Sequence, residues 1–598
     1  MQSLWLPIRN SARNISLDNS SAITNAAVMR VKGRAGCPDK ERTVTCNLYR
    51  TMHLMADQFT EYYTDLLDGT YDCVDRIVIN AYNPLLHSGG GFRTWWRMLH
   101  GNDDHLDDTH LMRFAGHFSR RVKAFAAKNN IPLVFCDRDD RKDELIKEHL
   151  PRSADYTGLF CIFVNRANAS VLQAHRFGNC GIDIRKKNTF INHYAFHIMD
   201  KQWGHVIIRF CPHPPFSAMI ILNGHEYVER TARKRSIRFT KEDNCFTNIP
   251  NAPALNRIAD SMISNNRDVG RLLDVCERWI YSCCLCFALE LEDQHRTDFR
   301  YSYSVYQLEF SRNLLFTRGA AVDTVFNGMI DKTRASLDIR TLKTIFGYRN
   351  RPYKRTSRGK PPRFEVTVEK PVYDLTVFKV HFDCLTLKVY SKGERVLRFE
   401  AIVHNAKRLK CGRKIDRFAQ IAKMLRDILY RFMSMLHCVD ISFIDAHSLQ
   451  SWHLPTVNKT GRIAGIDIDN PRIRAFMESL IALSVDPFGI TTSKLAQAVR
   501  EHTGNPDYLT RHAAYDLKKF RVKGIVAKGT GDRIYTVTPD GLRAMTAYLI
   551  IRDNVLIPII NRACKPSHGR MPFDDELKHY RNIQNELCQL FEILKIAA

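Results

Sequence analysis

The sequence contains no apolar run long enough to cross a bilayer. Its longest, around Ile280 to Leu289, covers about half of the ~20 residues that a spanning helix needs. Met1 to Met29 lacks the continuous apolar core of a secretory signal, and its Arg9, Arg13 and many Ser and Asn read as a leader instead. No segment repeats another. No Gly-Lys-Ser/Thr follows Gly89-Gly90-Gly91, which excludes a phosphate loop of the nucleotide-hydrolase kind. The 17 cysteines are spaced irregularly along a long chain, unlike a disulfide scaffold, so reduced thiols in a cytoplasmic protein are expected. A membrane partner is not expected, because the bases are spread along the chain and not gathered on one amphipathic helix.

Acidic residues are also scarce. Asp and Glu total 63 against 89 Lys and Arg, leaving a formal charge of +26. The natural counterpart of that surplus is a polyanion, and nucleic acid, DNA ahead of RNA, is the partner it predicts. The apolar fraction of 44% is ordinary for folded proteins, and the length calls for several domains.

The expected fold class is multidomain α/β and α+β, with a C-terminal winged helix-turn-helix domain. Residues 1–45 read as a flexible basic leader. Residues 46–187 alternate strands (Arg76 to Ala81, Ile131 to Cys136, Gly158 to Val164) with helices (Leu106 to Asn129, Arg141 to His149), which predicts an α/β domain with a parallel sheet. Residues 188–347 read as an α+β domain: strands over Phe190 to Met199, His205 to Phe210 and Ala218 to Leu222, a basic helix from His225 to Arg235, and a helical second half that includes residues 305–346. Residues 348–363 form a basic linker with no acid, in which Arg349, Arg351, Lys354 and Arg355 stand beside three prolines. Those bases suit either a phosphate clamp or a solvated loop. Residues 364–475 read as a mixed β-hairpin and helix domain, 476–555 as the winged helix, and 556–598 as a helical tail suited to self-association.

The stretch from 487 to 550 carries the most specific order of elements. Thr491 and Thr492 can cap a helix through Leu495 and Val499, which Gly504-Asn505-Pro506 ends. Thr510 opens a second helix with Ala514, Leu517 and Phe520 on its apolar face, leaving Arg511, Lys518 and Arg521 outward. Gly524 to Ala527 and Ile534 to Val537 are strands around a glycine-bearing tip with Lys528 and Arg533 at its ends. A helix with a basic outer face fits the major groove, and a basic hairpin tip reaches neighbouring phosphates. The segment resembles the winged-helix modules of MarR-like and ArsR-like regulators, which implies DNA binding; the same module also serves in protein docking.

A second candidate is the hairpin Thr386 to Lys392 and Val396 to Glu400. Period-two alternation puts Lys388, Tyr390 and Lys392 on one face, and Arg398 and Glu400 on one face of the return strand. Such a surface can bind phosphate, and Glu400 can take a proton or hold a divalent metal ion. The same residues also suit a cross-strand salt bridge. The hairpin is similar to a tyrosine–lysine then arginine–glutamate hairpin of phage and plasmid replication initiators, although no His-x-His metal pair accompanies it. Gly158 to Ile162, Asp243 to Phe246 and Tyr303 to Gln307, with this hairpin, resemble a family of uncharacterised bacterial mobile-element proteins. That resemblance implies a part in replication initiation or transposition. A metal-dependent nuclease and an RNA-binding ribonucleoprotein component are the alternatives.

Other groups balance a chemical and a structural reading. His193, His197 and His205, with Asp200, Cys211 and His213 nearby, suit a metal site or a satisfied structural cluster. Cys276, Cys283, Cys284 and Cys286 supply no pair of Cys-x-x-Cys knuckles and read as core thiols. Asp137, Asp139 and Asp140 follow a strand and suit helix capping or a carboxylate site. Gly89-Gly90-Gly91 precedes Trp95 and Trp96, which suit base stacking or a surface staple.

Overall fold

A computed structural model describes residues 58–552, except 138–139, 154, 178–180, 265, 337–363, 370–374, 383, 393, 410, 441–445, 459–460, 485–488 and 530–532, together with a few residues between 582 and 589. The leader, the basic linker with Arg349, Arg351, Lys354 and Arg355, and nearly all of the tail therefore lie outside the described residues.

The fold is mixed α/β and is organised by one sheet. Its strands are β1 (Leu67–Tyr82), β2 (Leu133–Cys136), β3 (Gly158–Arg176), β4 (Ile182–Asp200), β5 (Gly204–Phe210) and β6 (Ala218–Asn223). A separate small hairpin, β7 (Thr240–Glu242) and β8 (Cys245–Asn248), comes next in the chain. The sheet continues with β9 (Ser302–Phe316), β10 (Phe364–Glu369), β11 (Leu375–Phe382), β12 (Leu385–Lys392) and β13 (Val396–Val403). The 11 strands run in the order β10-β11-β12-β13-β9-β1-β6-β5-β4-β3-β2. One sheet thus draws together the stretches 46–187, 188–347 and 364–475.

Two expectations are corrected here. The alternation of strands and helices predicts a parallel sheet, but among the described residues only β2 and β3 pair in parallel. The other strands pair antiparallel, because tight hairpins such as Asp200 to Gly204, and not helical crossovers, return the chain. Among the described residues, the helical reading of 305–346 applies to Gly319–Ser336, and 337–346 lie outside them. Ser302–Phe316 is a central strand buried on both faces, a setting whose apolar run periodicity alone does not separate from a buried helix.

Helices pack against the sheet. Gly89–His100 and Asp108–Lys128 lie over the β3–β6 half, where Trp95 and Phe118 are fully buried and Phe118 stacks on Phe210 at 5.1 Å. Phe418–Asp440 lies over β9 and β13. There the Tyr430 hydroxyl donates to Asp72 (2.6 Å), which also pairs with Arg312 at 2.9 Å, so the helix is tied to two central strands.

The last described region is helical with a small hairpin. It comprises helices Pro471–Leu483, Thr492–Thr503, Thr510–Val522 and Pro539–Ile551, with the strands β14 (Val526–Lys528) and β15 (Tyr535–Val537). Ile490 pairs with Tyr535 as a further antiparallel bridge. Local chemistry sets the boundaries. Asn470, Thr491 and Thr538 each accept a backbone N–H as N-caps, and Gly504 ends its helix at φ 67°, where a side chain would be strained. Lys523 Nζ donates to the carbonyls of Ser451 (2.5 Å) and Leu454 (2.7 Å), which fixes this region to the preceding helix.

Candidate nucleic-acid interface

The helix Thr510–Val522 packs with Ala513, Leu517 and Phe520 buried, and Ala514 is exposed. Leu517 and Phe520 thus lie on the expected apolar face, and Ala513 takes the place of Ala514. Asp516 is fully buried on the same side: the Tyr508 hydroxyl donates to it at 2.9 Å, and Arg472 lies 3.4 Å away. Burial favours the neutral phenol, and the adjacent Asp516 charge adds to this, so the Tyr508 hydroxyl stays protonated.

The outward face then carries Arg511, Ala514, Tyr515, Lys518 and Arg521 at helical spacing, with Lys518 half-buried and the others exposed. Lys528 and Arg533 are exposed at the two ends of the hairpin tip. Among the described residues, no carboxylate lies within ion-pair distance of Arg511, Lys518, Arg521, Lys528 or Arg533. From 471 to 552 the sequence holds 13 Lys and Arg against seven Asp and Glu.

The second candidate group has a different character. Strand register places Lys388 opposite Glu400 and Tyr390 opposite Arg398. It also sets Arg398 beside Asn313, and Glu400 beside Ser311. The Tyr390 hydroxyl donates to Glu400 Oε1 at 2.5 Å, Lys388 Nζ lies 3.4 Å from Oε2, and Arg398 Nη1 lies 3.7 Å from Oε1. The face forecast for this hairpin is thus assembled, but its centre is internal. Arg398 is 1% exposed and Glu400 5%.

Asp75, His225, Ser311 and Asn313, with the Asn244 carbonyl, complete the cluster. Arg398 Nε donates to Asn313 Oδ1 (2.6 Å), Nη1 lies 3.8 Å from Asp75, and Nη2 donates to the Asn244 carbonyl (2.5 Å) and lies 3.3 Å from His225 Nε2. His225 Nδ1 is 2.8 Å from Asp75 Oδ1, and the Ser311 hydroxyl donates to the same oxygen at 2.9 Å. Burial, aided by Arg398, holds the His225 ring below its ordinary value, so the ring is neutral, and Arg398 is the cation that balances Asp75. Burial alone would raise the Asp75 carboxyl, but His225 and Arg398 bring it below its usual range. Glu309, further along the same face, is pushed up by burial and by the Glu400 and Asp75 charges. Lys392 is half-buried and pushed down by burial and by Arg398.

A divalent ion does not fit this cluster. Cys73, Asp75 and His225 place one ligand atom each within 4.8 Å of one another. The Arg398 guanidinium, however, already stands beside both Asp75 and Glu400, and burial pushes the Cys73 thiol well up, away from the thiolate a metal needs. Glu400 and Arg398 are matched to each other and to their neighbours inside the protein. Lys388, 28% exposed at its side chain, is where this group meets solvent.

The remaining candidates are placed structurally. Trp95 and Trp96 are buried, so the indoles after Gly89-Gly90-Gly91 build core. Those glycines begin a helix, and a Cβ on Gly89 or Gly91 would come within 2.0 Å of the Ile184 carbonyl oxygen or 1.9 Å of the Leu85 carbonyl oxygen. His197 and His205 face each other at 3.0 Å, while His193 turns to the Ile191 carbonyl, and Asp200 accepts from Arg278 and Trp279. Cys276, Cys283 and Cys284 are buried, whereas Cys286 is exposed. Asp140 accepts from the Asp137 N–H at 2.7 Å in a local turn, and Asp139 lies outside the described residues. No protein-family model, curated protein or solved structure matches the chain.

Proposed function

We propose that the protein binds duplex DNA through residues 471–551, used as a winged helix. The helix Thr510–Val522 enters the major groove, and the hairpin with Lys528 and Arg533 lies on adjacent phosphates. The observation that carries this reading is the stripe of Arg511, Lys518 and Arg521 on one helix face, with no carboxylate partner among the described residues. A folded domain gains little by holding several like charges together without acids, whereas a phosphate backbone neutralises them. The setting we propose is a mobile element's replication initiation or transposition.

Fluorescence anisotropy of the full chain with labelled duplex, across a salt series, tests the reading. Arg511→Ala with Lys518→Ala should weaken binding and flatten the dependence of affinity on salt by roughly one unit of slope per lost contact. Unchanged affinity and slope would overturn it. Competition with single-stranded DNA and structured RNA discriminates the polymer: displacement by RNA ahead of duplex would replace DNA by RNA as the partner.

A further inference from the structure

The long hairpin of β3 and β4 contains a section that no other strand accompanies. β2 pairs with β3 only over Ile162 to Asn165, and β5 pairs with β4 only from Tyr194 onward. Between Arg166 and Ser170, and between Asn188 and Asn192, two strands run alone. The section is held at both ends. Beyond it the Leu172 N–H donates to the Pro214 carbonyl at 3.1 Å, and Val171, Leu172, Ile182 and Ile184 are buried against the body. The result is a two-stranded bridge fixed at each end and open in the middle.

The exposed face of that bridge has a consistent chemistry. Register pairs Arg166 with Asn192, Asn168 with Phe190, and Ser170 with Asn188, and all six are exposed. Phe190 is 62% exposed although it stands in mid-strand, where a β-former normally finds cover. Lys186 and Lys187 are exposed beside them. From Gly158 to Met199 the sequence has five Lys and Arg and a single acid, Asp183, which is taken up by Arg185 at 2.6 Å.

We infer that this ribbon is a second DNA-contacting element, lying in the major groove of the duplex; the inference rests on the DNA-binding reading above. The major groove, about 12 Å wide, admits a two-stranded β-ribbon as readily as a helix. Asparagine is the side chain that matches adenine bidentately, arginine matches guanine, and phenylalanine packs on a thymine methyl. Asn168, Asn188 and Asn192 around Phe190 supply that set on one rigid surface, with Lys186 toward the phosphates. Both ends of the ribbon are anchored, so little conformational freedom is lost on contact.

The test is photo-crosslinking of the full chain carrying Phe190→p-benzoylphenylalanine to a labelled duplex, with affinity measurements on Asn168→Ala/Phe190→Ala. These side chains are exposed, and unchanged thermal melting will confirm that the variants fold. Crosslinking to duplex, and a loss of affinity of roughly tenfold, are expected. If Arg511→Ala/Lys518→Ala weakens binding while the Phe190 probe marks no DNA and the ribbon variant binds normally, the ribbon inference falls and the helix reading stands. A crosslink to a second protein chain, formed by strand addition at the bare ribbon edges, also overturns it. If the wild-type chain retains no duplex at low salt, both readings fall.

Discussion

The Tyr508 hydroxyl donates a 2.9 Å hydrogen bond to the buried Asp516 carboxylate, and this bond ties Tyr508 to the helix that carries Arg511, Lys518 and Arg521. Arg472, from the helix before it, sits 3.4 Å from the same carboxylate. Removing Asp516 leaves a buried phenol without its acceptor and a cation without its counter-charge. Asp516→Ala should destabilise this region by about 2–4 kcal/mol. Chemical denaturation with hydrogen exchange over residues 510–522 checks it, and exchange at wild-type rates would show that the bond does not set the helix.

Arg398 is the single buried cation between Asp75 and Glu400. Arg398→Met should cost about 3–5 kcal/mol, because the buried Asp75 loses its balancing cation and Glu400 keeps only Lys388 and the Tyr390 hydroxyl. Asp75→Asn in the same chain should return part of that loss. Urea denaturation midpoints for the two variants measure it; equal midpoints for Arg398→Met and the wild type would refute the network as a source of stability.

The facing His197 and His205 rings predict a pH dependence. Burial, and then His205 and Arg209, push His197 down to about 3, and burial also lowers His205. Both rings are therefore neutral in the fold while the unfolded chain protonates near pH ~6.5. The contribution of His197 is complete above that value and declines as pH falls from ~6.5 toward ~3, by at most about 1.4 kcal/mol per pH unit, and the lowered His205 acts in the same direction. His197→Gln should lower stability near neutrality but flatten its fall toward acid pH. Parallel pH profiles of thermal melting for variant and wild type would contradict this account.

Trp95 fills the core between the helix Gly89–His100 and Phe216, with no solvent exposure. Trp95→Ala should cost about 3–5 kcal/mol through the cavity it opens. Circular dichroism melting checks this, with Phe190→Ala as the exposed-aromatic control expected to change little.

Local pattern made part of this protein legible. Period two along Thr386 to Lys392 and Val396 to Glu400 placed Lys388, Tyr390, Arg398 and Glu400 on one face, and strand pairing then joined them. Capping residues and Gly504 marked the helices near the C-terminus. What local pattern does not carry is convergence across distance. Ser311 reaches Asp75 over 236 positions and Arg398 reaches His225 over 173, and neither partner is signalled by its neighbours. The burial of Arg398 was hidden for the same reason: a basic residue in a half-polar strand reads as surface until the strand acquires partners on both sides. Ser302–Phe316 was obscured because a strand covered on both faces loses its alternation.

The central strand β1 begins at Leu67, yet its neighbours arrive at Ala218 and Ser302, and β9 gains its own second neighbour only at Val396. During synthesis, the middle of the sheet therefore waits for more than three hundred residues of further chain. Until then first β1 and later β9 offers an unpaired backbone edge, a state prone to self-association and attractive to chaperones. Fragments ending between β6 and β13 should accordingly be insoluble, and assembly of the whole should be slow in proportion to these long closures.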